Sequence, residues 1–265
     1  MKKEVTVLMS EYNTKPLELK EAIESILNQT YTNFEFFIVD DGTNKENKNI
    51  LSNYSKKDNR IKIITNKENI GLVKSINKAI TEVKTKYIAR MDSDDIADRN
   101  RLEKQVKFME ENFQYALCGT RANYFNEGGR YLTSNIYGKI NLDILIRFCV
   151  FFHSSIIIRT DILKQVGMYD EYKRNEDYAL YLKMYYKGYK GYILEDVLIN
   201  YRQDEKSFKR KVYKDRIIEY KIRRKYFKLL HIKGIKKYIY TVKPLIVGLI
   251  PKRIMYCYKK IRNIR

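Results

Sequence analysis

The sequence predicts an α/β fold with a mostly parallel central sheet flanked by helices. Over the first 120 residues, four short apolar runs alternate with stretches whose apolar residues recur at helical spacing. Strands that alternate with helices in this way favour right-handed crossovers and parallel pairing. Polar residues also follow three of the four runs directly, as expected where parallel strands end at a ligand site.

The individual elements of this first half follow from the pattern. Strands are predicted at residues 4–9, 34–39, 60–65 and 87–91, each short and rich in Val, Ile or Phe. A helix is predicted over residues 16–29, with Pro16 in its first turn. Two more helices follow from apolar residues at helical spacing, one after Gly71 (Leu72, Ile76, Ile80, Val83) and one further on (Leu102, Val106, Met109, Phe113).

After residue 115 the pattern changes. Two strand-like pieces surround Glu127-Gly128-Gly129, which indicates a hairpin turn. An apolar, β-branched run over residues 148–159 is interrupted by His153-Ser154-Ser155. A helix at about 176–186 and a last strand at 192–201 complete the half in which we expect a second substrate pocket.

Composition bounds the class of protein. The 265 residues can bury one core, or one core with an appendage. No apolar run approaches the roughly 18 residues that a membrane span needs, and the N-terminal residues do not resemble a secretory signal. The three cysteines have no CxxC spacing, which argues against a disulfide framework and a zinc site. We expect a cytoplasmic body, with Cys118 and Cys149 as small core residues.

The positive charge is concentrated in the last quarter of the chain. Residues 204–265 carry 21 Lys or Arg and four Asp or Glu, whereas the first 203 residues are nearly balanced. A basic excess this local predicts a polyanionic partner, either anionic lipid headgroups or nucleic acid. The alternative is a basic tail that only improves solubility.

The aspartates after the fourth strand form the clearest candidate site. Asp92, Asp94 and Asp95 lie within four residues, so their charges repel one another and partial burial costs free energy unless a cation is present. Carboxylate oxygens are suited to Mg²⁺ or Mn²⁺, which also bind the phosphates of a nucleotide. The alternative is an acidic loop that caps the helix predicted from residue 98.

Three further features remain open on the residues alone. Asp40-Asp41 ends the second strand and offers an acceptor for the imide N–H of uracil, or simply begins a turn. Glu176-Asp177 starts a helix, either as capping acids or with one of them as a general base. His153 is either a structural histidine or part of a site.

Four stretches of the sequence resemble glycosyltransferase family 2, the inverting enzymes with the GT-A fold. They are MSEYNTKPLELKEAIESILNQTYTNFEFFIVDDGT (9–43), NIGLVKSINKAI (69–80), ARMDSDDIADRNRLEKQVKFME (89–110) and HSSIIIRTDILKQVGMYDEYKRNEDYALYLKM (153–184). The resemblance implies a Rossmann-like sheet and a UDP-sugar donor. It also implies a divalent metal, Mn²⁺ or Mg²⁺.

The resemblance implies a donor site built from the strand ends. Tyr12, in the motif Ser10-Glu11-Tyr12-Asn13, is expected against the nucleobase, although Glu11 departs from the small apolar residue usual in the family. Asp40 corresponds to the base-recognising aspartate, with Asp41 beside it. Asp92-Ser93-Asp94 corresponds to the DxD motif, in which Asp94 is the expected direct metal ligand, with Asp92. Gly71 joins the donor-binding residues, and Lys74 and Arg90 are candidates for diphosphate contacts.

The acceptor side follows from the fourth stretch. Glu176-Asp177 corresponds to the family's ED motif, which makes Asp177 the expected catalytic base, and His153 is expected near the acceptor. The implied reaction is a single displacement that inverts the anomeric carbon. The acceptor would be a glycan, carried on a polyprenyl diphosphate during synthesis of surface polysaccharide such as capsule, O-antigen or lipooligosaccharide.

The basic tail then predicts that the protein associates with a membrane surface. We expect residues 1–203 to be a GT-A catalytic domain, with donor binding in 1–115 and the acceptor side in 116–203. Residues 204–265 are expected to be a helical, amphipathic extension that binds the anionic inner face of the cell membrane, with no nucleic acid bound. In residues 209–230 we expect Ile217, Ile218, Ile222, Phe227 and Leu230 to face the acyl chains, and residues 244–260 to form a second anchor.

Two other functions compete with this hypothesis. A sugar nucleotidyltransferase would share the sheet, the metal and the nucleotide, but its Gly-rich basic loop after the first strand is missing from this sequence. A nucleic-acid-binding protein would use the tail, but the acidic strand ends would repel phosphates in the absence of metal.

Overall fold

The computed structural model describes residues 3–203 and 213–250. Its ten strands are β1 (Val5–Glu11), β2 (Phe34–Asp40), β3 (Ile61–Thr65), β4 (Tyr87–Asp92), β5 (Ile96–Ala97), β6 (Leu117–Asn126), β7 (Gly129–Thr133), β8 (Gly138–Ile140), β9 (Ile157–Arg159) and β10 (Gly191–Arg202). Its helices are α1 (Pro16–Leu27), α2 (Lys45–Lys57), α3 (Leu72–Glu82), α4 (Arg101–Glu111), α5 (Leu142–Arg147), α6 (Thr160–Gln165), α7 (Glu176–Tyr186), α8 (Tyr213–Leu229) and α9 (Gly234–Leu249).

All the strands belong to one mixed sheet in the order β3-β2-β1-β4-β9-β6-β10-β5, with β7 beside β6 and β8 beside β10. The first four of that order are parallel, as are β6 and β10, and β9 runs antiparallel between the two groups. The register places Ser10 opposite Asp92 and Glu11 opposite Asp40. The predicted polar strand ends therefore meet at one edge of the sheet.

Helices cover both faces of the sheet and bury two apolar clusters. Leu19 and Ile23 of α1 and Leu102 of α4 lie in the cluster on one face. Ile76 of α3 and Leu180 of α7 lie in the cluster on the other. Each fully buried side chain of this size contributes about 1.5–3 kcal/mol, which offsets the entropy lost in ordering the chain. The strand-end loops thus lie on a rigid, two-sided support.

The sequence pattern predicts most of this half of the fold correctly, but misses α2. Only Ile50 and Leu51 of α2 are buried apolar residues and the stretch is mostly polar, so its apolar pattern gives little indication of a helix. The Asn44 side chain nevertheless caps it by accepting from the backbone N–H of Asn47 at 2.9 Å. One other expectation differs from the structure, since Phe113 lies beyond α4 and is 70% exposed. In the run over 148–159, the interruption at His153–Ser155 is a 3₁₀ turn, and β9 follows it.

The C-terminal region forms a helical hairpin, α8 and α9. A Cβ atom on Gly248 of α9 would lie 2.8 Å from the Tyr213 ring of α8, so a glycine allows this close approach. The prediction that Ile222 and Phe227 face lipid is wrong. Both are fully buried in the core cluster that includes α7, because α8 packs its apolar face onto the body.

Parts of the predicted tail, residues 204–212 and 251–265, lie outside the described residues. Within the described ranges, none of the helices combines the length and apolar character that crossing a membrane requires.

Candidate active site

The loops after β1, β2 and β4 are joined by side-chain hydrogen bonds. Thr14 Oγ1 shares a hydrogen bond of 2.6 Å with Ser93 Oγ, which ties the first loop to the DSD loop. Asn13 adopts a positive φ of 54° and its Oδ1 accepts from the Asn44 N–H at 2.9 Å. These bonds connect segments about 30 and 80 residues apart in sequence. Asn13 therefore shapes the site through the loops that it connects.

Glu11, the departure from the family pattern, is a buried anchor. Its side chain is fully buried, and its Oε1 accepts from Asn47 Nδ2 at 2.7 Å and Thr43 Oγ1 at 2.8 Å. The same oxygen accepts from the backbone N–H of Thr14 at 3.2 Å. A small apolar residue could make none of these bonds, so in this chain Glu11 fixes the donor-side loops.

Asp40 and Asp41 are both almost completely buried. Asp41 accepts from the backbone N–H groups of Ile70 at 2.9 Å and Gly71 at 3.0 Å, which holds the loop before α3 against the end of β2. Asp40 accepts from the Thr43 N–H at 2.8 Å. Tyr12 is 51% exposed beside them, so its ring has a face free of core packing.

The aspartates after β4 occupy different environments. Burial, together with repulsion from Asp92, raises the pKa of Asp94 to about 6. Burial raises the pKa of Asp95 well above its usual value, and its Oδ1 accepts from the Arg202 N–H at 2.7 Å. Arg202 Nε also donates to the Asp94 carbonyl at 2.7 Å. Arg202 thus positions the loop, and Asp95 is the member of the cluster that points into the protein.

Arg90 does not project into open space as a free diphosphate ligand. Only 2% of its side chain is exposed, and its Nη2 donates to Asp92 Oδ1 at 2.6 Å. Its Nη1 donates to the Leu8 carbonyl at 3.2 Å. In this structure Arg90 orients Asp92, whereas Lys74 is exposed in the first turn of α3.

Glu176 and Asp177 open α7, and Glu176 lies close enough to Asp92 for their charges to repel. The pKa of Glu176 is raised to about 7, mainly by burial. Repulsion from Asp177, and then from Asp92, also raises this pKa, whereas the charge of Arg90 lowers it. Asp177 Oδ1 accepts from the Tyr178 N–H at 2.7 Å, and the Cys149 thiol donates to its Oδ2 at 3.7 Å. The prediction that Cys149 is a core residue is wrong, since it is exposed beside Asp177; Cys118 is buried as expected.

His153 lies on the same side of the site. It is 9% exposed, and its Nε2 shares a hydrogen bond of 2.8 Å with the Tyr169 hydroxyl. Burial and then the charge of Arg90 lower the pKa of His153 to about 3, so its imidazole is neutral. This arrangement gives His153 a structural partner within the site.

Sequence reasoning missed three residues that shape the site, namely Thr14, Tyr169 and Arg202. The backbone N–H of Arg202 donates to the carboxylate of Asp95, 107 residues earlier in the chain, a separation at which spacing carries no signal. Tyr169 lies in the stretch that carries the resemblance, but only its contact with His153 identifies a role.

A divalent metal fits the residues present. In residues 3–203 and 213–250, no group of three His, Cys, Asp or Glu side chains can hold an ion by itself. Asp92 and Asp94 would be the residues to hold such an ion, with water and substrate oxygens as its other ligands, because Mg²⁺ is often bound through one or two carboxylates. Burial and then repulsion from Asp92 raise the pKa of Asp94, and a bound cation would favour its charged form.

Solved structures share this fold. The chain aligns with TarS 1–349 of S. aureus, solved in complex with UDP-GlcNAc, at a TM-score of 0.70 and 19% identity, over 93% of this chain and 71% of that one. It aligns with the mannosyltransferase PcManGT of Pyrobaculum calidifontis, in complex with GDP-Man and Mn²⁺, at a TM-score of 0.66 and 13% identity, over 100% and 81% of the two chains. The fold is therefore the GT-A fold of glycosyltransferases.

Sequence comparison identifies the family. The profile of glycosyl transferase family 2 matches residues 6–188, and the chain belongs to this family and is a glycosyltransferase. The putative glycosyltransferase EpsE of Bacillus subtilis is 33% identical over 97% of this chain and 94% of its own length. The O-antigen biosynthesis glycosyltransferase WbnJ of Escherichia coli is 37% identical over 70% and 74% of the two chains. The family decides against the nucleotidyltransferase alternative.

Proposed function

We propose that this glycosyltransferase moves a hexose or an N-acetylhexosamine from a UDP-sugar to a glycan acceptor, with inversion, during synthesis of a surface polysaccharide. One observation carries the proposal: Glu176, next to Asp177 at the start of α7, lies close enough to Asp92 at the end of β4 for their charges to repel. A base close to a diphosphate-binding loop would suit a single displacement. The name of WbnJ and the UDP-GlcNAc complex of TarS support the glycan product and the donor.

The donor would lie along the strand ends. Tyr12 offers an exposed ring for stacking on the nucleobase, and Asp40 or Asp41 an acceptor for its imide N–H. Asp92 and Asp94 would hold Mn²⁺ or Mg²⁺, which neutralises charge on the diphosphate leaving group. Arg90 keeps Asp92 in place for that task.

Asp177 would act on the acceptor. Its carboxylate takes the proton of the attacking hydroxyl while the new bond forms at the anomeric carbon, and UDP departs with the electrons of the broken C–O bond. An α-linked donor gives a β-linkage in this single step. The acceptor would be a glycan on polyprenyl diphosphate, and the protein would work as a peripheral protein at the inner face of the cell membrane.

A donor screen tests the proposal. The purified protein is incubated with Mn²⁺ and UDP-Gal, UDP-Glc, UDP-GlcNAc or UDP-GalNAc, with GDP-Man as the contrasting nucleotide, and release of the nucleoside diphosphate is measured. We expect UDP release from one or two of these donors and none from GDP-Man. Release from GDP-Man alone, or no release from any UDP-sugar with or without lipid extract as acceptor, would refute the proposed donor.

A further inference from the structure

Helix α9 presents its apolar residues to solvent. Six large apolar side chains are between 39% and 74% exposed, and they recur at steps of one, three or four residues, which places them on one helical face. The opposite face contacts the protein through buried Pro244 and through Gly248, which approaches Tyr213. The exposed face of α9 consists of Ile235, Tyr238, Ile239, Val242, Ile246 and Leu249.

The sequence of this part of the chain is strongly basic, although Lys236 of α9 pairs with the exposed Asp143 at 3.4 Å. After Glu219 the chain has no Asp or Glu, whereas residues 220–265 contain fifteen Lys or Arg. Lys233 and Lys236 are exposed at the start of α9. An apolar face on a helix with exposed lysines and a net basic sequence matches a bilayer surface with anionic headgroups, where the cations meet phosphate and the apolar side chains reach the acyl boundary.

The partner helix α8 cannot serve the same purpose, because its apolar face is used inside the protein. Ile222 and Phe227 are buried, and Arg223 Nη1 donates to the Ile146 carbonyl at 2.6 Å. The Tyr226 hydroxyl donates to Asp170 Oδ2 at 2.6 Å. Helix α8 therefore fixes the hairpin to the body and leaves α9 as the element that faces outwards.

The position of α9 relates its exposed face to the site. Lys243 Nζ donates to the Arg147 carbonyl at 3.0 Å and lies 5.9 Å from the centre of the Phe148 ring. The next residue, Cys149, contacts Asp177. Only the short segment 147–149 thus separates a contact of α9 from the proposed catalytic base.

We infer that the exposed face of α9 docks on an anionic lipid bilayer and brings the Asp177 side of the cleft close to the membrane surface. The inference of docking depends on the exposed apolar face of α9 and the basic residues near it. The benefit to catalysis rests on the proposed function. An acceptor whose reacting sugar is held near headgroups by a lipid diphosphate would then reach Asp177 without leaving the membrane.

Flotation of the full-length protein with phosphatidylcholine vesicles, with and without phosphatidylglycerol, tests the inference. The variant Ile239→Gln/Ile246→Gln removes apolar area from the centre of the face, and Ile235→Gln/Leu249→Gln removes it from the two ends; Gln keeps helix propensity. Phe113→Gln is the matched control, since Phe113 is 70% exposed at the end of α4. Circular dichroism and thermal melting check folding.

We expect wild type and the control to float with phosphatidylglycerol vesicles, less so at high salt, and each double variant to lose about tenfold or more in partitioning. Equal flotation of all four proteins overturns the inference. The inference is also overturned if light scattering shows that the wild type is a dimer and the double variants are monomers, while all of them float equally well. Binding to duplex DNA but to neither vesicle also overturns it.

Calorimetry with UDP and Mn²⁺ keeps this test separate from that of the proposed function. The α9 variants should bind UDP as wild type does, because the face lies outside the donor residues. Vesicle binding by a protein that binds no UDP would refute the donor assignment and leave docking intact. UDP binding by a protein that does not float with vesicles would refute docking and leave the donor assignment intact.

Discussion

The guanidinium group of Arg90 donates a 2.6 Å hydrogen bond to the carboxylate of Asp92, although only 2% of the Arg90 side chain is exposed. This buried cation lies between the two halves of the site. It opposes the rise in the pKa of Glu176 and lowers that of His153, in each case after the larger effect of burial. Arg90 thus contributes to the electrostatics of Glu176 and His153 as well as contacting Asp92.

Replacing Arg90 should destabilise the protein and weaken donor binding. Arg90→Met leaves Asp92 without its partner, and we expect a loss of about 2–3 kcal/mol in the free energy of unfolding, measured with urea. Lys62→Met is the control, since it breaks the exposed pair with Glu82 and should cost about 1 kcal/mol at most. Equal losses in the two variants would contradict the structural role of Arg90.

Asp94 should make metal binding depend on pH. Its pKa is raised to about 6, so a proton must leave before the carboxylate can bind a cation. We expect affinity for Mn²⁺ with UDP, measured by calorimetry, to rise between about pH 5 and about pH 7. Asp94→Asn should lose most of this binding at every pH, whereas Asp161→Asn, at an exposed surface acid, should not.

Without metal, the same group acts on stability in the opposite sense. Because the folded pKa of Asp94, like that of Glu176, lies above the unfolded value, the folded state binds these protons more tightly. Their contribution to stability is complete below about pH 4 and is lost as the pH rises through about 6 to 7. Urea unfolding across this range should show a smaller loss in Asp94→Asn than in wild type.

Asp177→Asn should separate chemistry from donor binding. The amide cannot take a proton from the acceptor, so transfer should fall by about 10²–10⁴-fold, while the affinity for UDP with Mn²⁺ stays within about twofold. Sugar transfer and UDP calorimetry are the two measurements, with Asp161→Asn again as the control. Full transfer by the Asp177 variant would refute the assigned base.

Gly42 should be intolerant of a side chain because of its surroundings as well as its backbone. It adopts a φ of +74°, and a Cβ atom there would lie 2.7 Å from the backbone of Asn69 and of Glu68. Gly42→Ala should cost about 2 kcal/mol or more and weaken UDP binding, since it displaces the loop whose N–H groups bind Asp41. Gly129→Ala is the matched control.

Gly129 has a similar φ of +95° but no atom within 4 Å of the added Cβ. Its substitution should cost only the backbone strain, about 1 kcal/mol, with UDP binding unchanged. Urea unfolding of the two variants therefore isolates the clash at Gly42. Equal costs would show that the close approach to Asn69 and Glu68 is unimportant.

Local periodicity predicted the elements that carry a clear apolar face. It failed where the helix is mostly polar, and it did not show whether an apolar face packs on protein or on lipid. Helix α3 was predicted from the spacing of Ile76 and Ile80, whereas α2 is mostly polar and buries only two apolar residues. In the tail, Ile222 and Phe227 were assigned to lipid because sequence does not distinguish a helix face that packs on protein from one that packs on a bilayer. Only tertiary contacts separate α8 from α9.

By itself, the sequence determined the α/β class, the polar strand ends and the motifs that place the chain in its family, because parallel strands bring their carboxyl ends to one edge. Only the tertiary structure decided which carboxylates are buried and which side chains or backbone groups donate hydrogen bonds to them. The backbone N–H of Arg202 donates to Asp95, Glu11 accepts from Thr43, and the guanidinium group of Arg90 donates to Asp92. These are contacts between distant parts of the chain, and their energies depend on burial, which no local pattern encodes.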